Sequence, residues 1–158
     1  MASEKLSFKT KLGFGVGDIG GNLIFQIMGF WLLNYLTDTV GLSAALAGTA
    51  LMIGKFWDAI TDPIMGIISD RTKSKMGRRR PYLLIGGVVA IISMIIMFMN
   101  PHFPQHEQTA IFIWAVAVYC FLCLAFTIVN IPYSALTPEL TSDYNERTSL
   151  NGFRMFFA

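Results

Sequence analysis

The sequence contains few charged residues for its length, and this shortage disfavours two large classes of protein. Of its 158 residues only 14% are charged and 54% are hydrophobic, whereas soluble domains carry about 25% charged residues. A soluble enzyme is therefore disfavoured, and the net charge of +2 is too small to indicate a nucleic-acid-binding protein. Cysteine is also scarce. Cys120 and Cys123 lie in one apolar stretch, which predicts packing residues rather than a disulfide.

Two long stretches, residues 81–106 and 108–138, contain no Asp, Glu, Lys or Arg. Each can hold the ~20 apolar residues that a helix needs to cross a bilayer. With a mean hydropathy of +0.54, the pattern predicts an all-α polytopic membrane protein with four transmembrane helices and the start of a fifth. The predicted spans are residues 13–36, 44–69, 82–99 and 110–131, and a fifth from residues 152–158 onward. We therefore expect the N-terminal part of a longer chain.

Basic residues alternate between the predicted loops. The loops between the first and second spans and between the third and fourth have none. Because cytoplasmic loops are enriched in Lys and Arg, this alternation predicts a cytoplasmic N-terminus. The basic residues of the N-terminal tail and of the second-to-third loop are Lys5, Lys9, Lys11, Arg71, Lys73, Lys75, Arg78, Arg79 and Arg80.

The second span carries charges that a membrane helix normally avoids. Asp58 and Asp62 are four residues apart and share a helix face with Lys55. Two carboxylates in a low dielectric repel each other, so the pair should take up a proton or a cation. Thr61 adds a hydroxyl, and hard cations prefer oxygen ligands. The pattern predicts a site for Na⁺, Li⁺ or H⁺. The alternative is a structural Lys55–Asp58 ion pair with Asp62 capping a kink at Pro63.

The first span has a polar stripe in which Asp18, Asn22 and Gln26 repeat every four residues. Amide and carboxylate groups at this spacing suit a ligand rich in hydroxyls, such as a sugar. The same groups can instead hydrogen-bond neighbouring helices to one another. The stripe therefore indicates either a substrate-binding face or a helix contact.

A second polar group lies where the fourth span ends in FTIVNIPYSALTP. Pro132 removes a helix hydrogen bond, and such breaks are tolerated where they face a cavity. Arg154, at the start of the fifth span, offers a fixed fork of donors for hydroxyls or a carboxylate. Together these residues predict the polar wall of a substrate cavity. The side chains clustered around the proline are Thr127, Asn130, Tyr133 and Ser134.

The loop DRTKSKMGRRRP, which follows Gly66, is the most specific short pattern in the chain. Acidic and basic residues on either side of a tight turn can join two spans at the cytoplasmic face by charge-assisted hydrogen bonds. We expect a gating or structural clamp, the alternative being an ordinary positive loop. Its residues are Gly66, Asp70, Arg71, Gly77, Arg78 and Arg79.

Six segments carry a resemblance to a known family: GFGVGDIGGNL, YLTDTVGLSAALAGT, FWDAITDPIMGIISDRT, MGRRRPY, NIPYSALTPEL and ERTSLNGFRMFFA. In this order they resemble the melibiose permease-like family of glycoside-pentoside-hexuronide:cation symporters, within the major facilitator superfamily. The resemblance covers essentially the whole chain. It implies two six-helix halves, of which this chain is the first third, in a bacterial inner membrane. The implied partners are a sugar, membrane lipid and the remaining C-terminal spans. The resemblance also implies a coupling cation, Na⁺ or H⁺, and it implies no cofactor.

The resemblance also assigns a cation site. The two aspartates that bind the coupling cation in the family fall on Asp58 and Asp62, and a threonine that assists them falls on Thr127. The family's asparagine before the second aspartate is Thr61 here, which leaves the choice of cation open.

The sugar site carries over with changes. The family's acids on the first and fourth spans fall on Asn22 and Asn130, and its arginine on the fifth falls on Arg154. These two acid-to-amide changes, together with Ser134 where melibiose-transporting members have a tryptophan, argue against melibiose as the substrate. Loss of both carboxylates beside Arg154 favours an anionic sugar such as a hexuronide.

The expected mechanism is symport by alternating access, with no covalent chemistry, since the sequence has no nucleophile-and-base pair and no metalloprotease motif. Two other functions stay open: a facilitator-superfamily carrier of a non-sugar substrate such as a lipid or drug, and a truncated membrane fragment that does not transport.

Overall fold

The computed structural model describes residues 6–74, 77–141 and 143–157, and within these ranges it is helical with no strand. This confirms the all-α prediction. Three residues used in the predictions lie outside the described ranges. They are Lys5 and Lys75, from the prediction of orientation, and Ala158, from the predicted fifth span. The helices are α1 (Phe8–Phe30), α2 (Leu32–Asn34), α3 (Ala44–Arg71), α4 (Arg80–Phe98), α5 (Gln108–Ser134), α6 (Thr137–Leu140) and α7 (Tyr144–Phe157), with π-helical residues Tyr35–Thr39 after α2.

The described residues include two helices that are long and apolar enough to cross a membrane, α4 and α5 continued through α6. The first helical region, Phe8–Thr39, is a third candidate if its two pieces, bent by 50° to each other, form one span. The 28-residue α3 is about 42 Å long at 1.5 Å per residue, but its middle carries Lys55, Asp58 and Asp62. The count of four spans stays a prediction.

Local sequence signals explain several helix boundaries. Ser7 caps α1 by accepting a hydrogen bond from the Thr10 amide at 3.2 Å. Pro81 lies in the first turn of α4, where its missing N–H leaves no helix bond unmade. α7 begins at Tyr144, earlier than the predicted fifth span, because Asp143 accepts hydrogen bonds from the amides of Asn145 and Glu146.

Small residues allow α5 to pack closely against both α3 and α4. The ring of Tyr119 on α5 lies directly over Gly54 on α3, leaving no room for a side chain there. A Cβ on Gly86 of α4 would lie 2.8 Å from the side chains of both Ile128 and Val129 on α5. α5 is therefore the central helix of this bundle. Fully buried apolar side chains of this core lie on α5 itself and on neighbouring helices, and they include Leu32, Leu36, Ala47, Ala50, Met97, Ile111, Ala115, Leu122 and Cys123.

We expect Gly54→Ala to lower the free energy of unfolding by about 1–3 kcal/mol, because the added methyl group must displace the buried Tyr119 ring. Gly48→Ala on the same helix is the matched control, since no described atom lies within 4 Å of a Cβ there. The control should be neutral or more stable by roughly 0.5–1 kcal/mol. Thermal unfolding of the purified protein measures both, and equal melting temperatures for the two variants would contradict the packing.

Candidate substrate and cation sites

Asp62 and Thr127 form a direct contact between α3 and α5. The Thr127 hydroxyl donates a hydrogen bond to Asp62 Oδ1 at 2.8 Å. Thr127 is 1% exposed, so the contact lies in the packed interface between the helices. The structure thus brings together two of the four residues predicted to bind a cation.

Asp58 lies one helical turn before Asp62 and is only partly paired. Its Oδ2 is 3.5 Å from the ammonium of Lys55, whose side chain is 61% exposed. Its Oδ1 is buried and has no hydrogen-bond partner among the residues the structure describes. The ion pair of the alternative interpretation is therefore present, but it is long and leaves one carboxylate oxygen unsatisfied. A buried acceptor without a donor costs about 1–3 kcal/mol.

Thr61 is placed differently from the other predicted cation residues. Its hydroxyl donates to the carbonyl oxygen of Trp57 at 3.0 Å and lies 3.4 Å from that of Asp58, both on its own helix. The hydroxyl proton is therefore committed to the α3 backbone. The lone pairs of its oxygen are the part of Thr61 that a cation could use.

Asp18 and Arg154 form a buried ion pair between α1 and α7. Arg154 Nε donates to Asp18 Oδ2 at 3.0 Å, and the Asn22 side-chain amide donates to the same oxygen at 3.0 Å. The Asp18 side chain is 7% exposed and that of Arg154 is 26% exposed. A charge-assisted bond at this depth is strong because little water competes for it.

The Asp18 contact changes what the sequence predicted for Arg154. The sequence predicted that Arg154 has no neighbouring carboxylate, because both family positions that carry acids are amides here, Asn22 and Asn130. Asp18, one turn before Asn22, supplies a carboxylate to the arginine from a position that was not counted. The four-residue stripe had placed Asp18 and Asn22 on one face, but no local pattern relates Asp18 to Arg154.

Tyr133 stabilises this polar centre from the α5 side. Its ring lies 5.4 Å from the Arg154 guanidinium carbon, within cation–π range. The ring stacks on Phe14 with centroids 4.8 Å apart, and its hydroxyl donates to the Phe14 carbonyl. Phe14 is a contact that the sequence analysis missed.

Two concavities adjoin the polar centre. An inner cavity of about 220 Å³ is lined by Asp18, Asn130 and Tyr133. A wider open groove of about 680 Å³ is lined by Asn22 and Gln26. Gln26 is exposed and lines the groove but not the inner cavity. Five of the six predicted substrate residues thus line one of the two spaces, whereas Arg154 lines neither. Asn22 links the spaces because it contacts Asp18 and lines the groove.

Charged contacts join residues of the predicted clamp, and one of these contacts involves a residue that was not predicted. Arg79 Nη2 donates to Asp70 Oδ1 at 2.6 Å, and Arg78 Nη2 donates to Glu139 Oε1 on α6 at 2.8 Å. Arg79 Nε lies 3.6 Å from the same glutamate oxygen. Gly77 has a φ of +99°, a left-handed conformation that favours glycine.

The other two clamp residues lie at its edge. Gly66 accepts a hydrogen bond from the Ser69 hydroxyl at 3.0 Å, and Arg71 is an exposed residue at the end of α3. The clamp therefore joins α3, α4 and α6, and its gating role stays a prediction.

A second charged contact holds α1 against α7. Lys11 Nζ lies 2.8 Å from Glu146 Oε2 and donates to the Ser149 hydroxyl at 3.0 Å. The Leu6 amide donates to the same carboxylate at 3.1 Å. The hydrogen bond from Lys11 holds the pKa of Glu146 below its usual range, so this carboxylate is ionised at neutral pH.

Apolar helices surround a buried ion pair, and carboxylates lie in the middle of a long helix. Both features are typical of multi-pass membrane proteins, in which intramembrane charges mark functional sites. A family model described as MFS/sugar transport protein matches residues 13–158. The chain belongs to this family, and the relatives it matches are named as symporters and carriers.

Three relatives illustrate the match. The uncharacterized symporter sll1374 of Synechocystis is 48% identical over 100% of this chain and 30% of its own length. The putative glycoside/cation symporter YagG of Escherichia coli is 37% identical over 98% of this chain and 33% of its own. The glucuronide carrier protein homolog of Escherichia coli is 32% identical over 96% of this chain and 33% of its own. The chain thus spans about a third of the length of these relatives.

We expect Asp18→Asn and Arg154→Gln each to destabilise the protein, because each leaves a buried charge without its partner. The double variant should lose less than the sum of the two, with a coupling energy of about 0.5–3 kcal/mol. Thermal unfolding of the four proteins completes the cycle. Asp38→Asn, at an exposed position, is the control and should shift stability by less than about 0.5 kcal/mol. Additive effects at Asp18 and Arg154 would contradict the contact.

Proposed function

We propose that this chain is the N-terminal part of a symporter that couples the entry of a sugar to the entry of Na⁺ or H⁺. The protein lies in the bacterial inner membrane with its N-terminus in the cytoplasm. The coupling cation occupies the site formed by Asp58, Asp62 and Thr127. The sugar occupies the cavity at Asp18 and Asn130, and the halves of the transporter rock around both ligands.

The observation that carries this proposal is that one helix, α5, contributes to both sites. Thr127 bonds Asp62, while Asn130 and Tyr133 line the cavity that contains Asp18. Residues three apart share a helix face and are separated by about 4.5 Å along the axis. A cation that changes the bond between Asp62 and Thr127 therefore acts within one helical turn of the sugar cavity. Such coupling is reciprocal, so each ligand raises the affinity for the other.

The polar centre supports a ligand rich in hydroxyl groups. A sugar hydroxyl can donate to the Asp18 carboxylate and accept from Arg154 or from either amide. Because Asp18 already neutralises the arginine, the earlier reason to expect an anionic sugar no longer holds. A carboxylate on the substrate would have to displace Asp18 from Arg154 or repel it. We therefore propose a neutral glycoside as the substrate, although one relative is named for glucuronide transport.

A panel of sugars tests the substrate class. In vesicles that contain the full-length transporter, we expect cation-driven uptake of a labelled neutral glycoside to be inhibited by other neutral glycosides. The matched hexuronides should inhibit at least about tenfold more weakly, which corresponds to about 1.4 kcal/mol. Equal or stronger inhibition by hexuronides would restore the anionic substrate. Inhibition by lipids or drugs alone would favour a carrier of non-sugar substrates.

A second experiment tests the cation site. We expect Asp58→Asn and Asp62→Asn to abolish the stimulation of sugar binding by Na⁺ or by acid, because each removes a negative charge that holds the cation. Asp38→Asn, at an exposed position outside both sites, is the control. The measurement is sugar affinity by equilibrium binding, with and without the cation. Stimulation that survives in both site variants would overturn the assignment.

A further inference from the structure

The packed faces of α3 and α5 are in register over three successive helical turns. Tyr119 lies over Gly54, and Thr127 bonds Asp62 two turns later. Both helices advance by eight residues between these contacts, so four residues on from the first contact Cys123 faces Asp58. The thiol lies near the Asp58 carboxylate and the Tyr119 hydroxyl, but it does not reach Asp58 Oδ1 with the geometry of a regular hydrogen bond. Cys123 is completely buried.

This position matters because Asp58 is the incompletely paired carboxylate. Its buried Oδ1 has no hydrogen-bond partner within the described part of the chain, and Lys55 reaches only the other oxygen. On the turn after Cys123, α5 offers Asp62 a hydroxyl oxygen from Thr127. Beside Asp58 the same helix offers sulfur.

Sulfur and oxygen differ as ligands for the cations that a symporter uses. Hard cations are held by carboxylate, carbonyl and hydroxyl oxygens, whereas thiols favour soft metals. A neutral thiol is also only a weak hydrogen-bond donor and a weak acceptor. A hard alkali cation beside Asp58 therefore receives less from α5 than it would receive from a hydroxyl at the same position.

We propose that Cys123 is a specificity-determining residue, which lowers the affinity of the cation site for Na⁺ and Li⁺ by placing sulfur where an oxygen ligand would fit. The inference rests on the proposed symport function and concerns the same site. Cys123→Ser should therefore create a tighter alkali-cation site without a change in the sugar contacts, since the sugar cavity is lined by other residues.

The test compares three substitutions in the full-length transporter. For Cys123→Ser we expect the Na⁺ concentration that gives half-maximal stimulation of sugar uptake to fall about tenfold, the lower end of the effect of a supporting metal-site group. Cys123→Ala removes sulfur without supplying oxygen and should not lower that concentration. Cys120→Ser changes the partly exposed cysteine three residues earlier on the same helix, one turn short of the position that faces Asp58, and should lower that concentration less than Cys123→Ser does.

The outcomes separate this inference from the function on which it rests. The role of the sulfur is overturned if Cys123→Ser leaves the half-maximal Na⁺ concentration unchanged. It is also overturned if Cys123→Ala lowers that concentration as much as Cys123→Ser does. Neither result affects the proposed symport. Absence of cation-driven sugar uptake in wild type overturns the proposed function itself. Sugar binding in the absence of Na⁺ reports that each variant is folded. If the serine variant does not fold, Cys123→Thr supplies the same hydroxyl and must show the same fall.

Discussion

The close approach of α3 and α5 is the constraint on which the rest of the structure depends. Gly54 gives the ring of Tyr119 a place against the α3 backbone, and this brings the two helices near enough for Thr127 to reach Asp62. A bulkier residue at the first contact would separate the helices and break the second. The contact between a glycine, which has no side chain, and the large Tyr119 ring thus fixes the distance between Asp62 and Thr127 two helical turns away.

A buried charge in an apolar bundle is stable only if the surrounding helices supply its partner. Asp18 is held by an arginine and an amide, and Tyr133 covers the guanidinium. Asp58 is different, because the lysine with which it pairs is largely exposed and one of its oxygens has no hydrogen-bond partner among the described residues. The contrast separates a carboxylate that organises the structure from one that has an oxygen left for the proposed cation.

Helical spacing in the sequence was enough to predict the all-helical fold, the shared face of Asp58 and Asp62, and the polar stripe that begins at Asp18. It was not enough to pair residues across helices, because periodicity defines a face without saying which helix covers it. The contact of Asp62 with Thr127 spans 65 residues, and that of Asp18 with Arg154 spans 136. The clamp illustrates the same limit, since its acceptor Glu139 lies on a separate short helix.

The arrangement of α5 also bears on how such a protein can diversify. Thr127, beside the carboxylates, and Asn130, in the cavity wall, are separated by less than one turn of a single rigid helix. A substitution that moves the backbone of this helix at one of them moves it at the other as well. For the proposed symporter, ion preference and substrate preference are therefore coupled through the backbone of α5, and an engineer who changes the course of this helix should expect both preferences to shift.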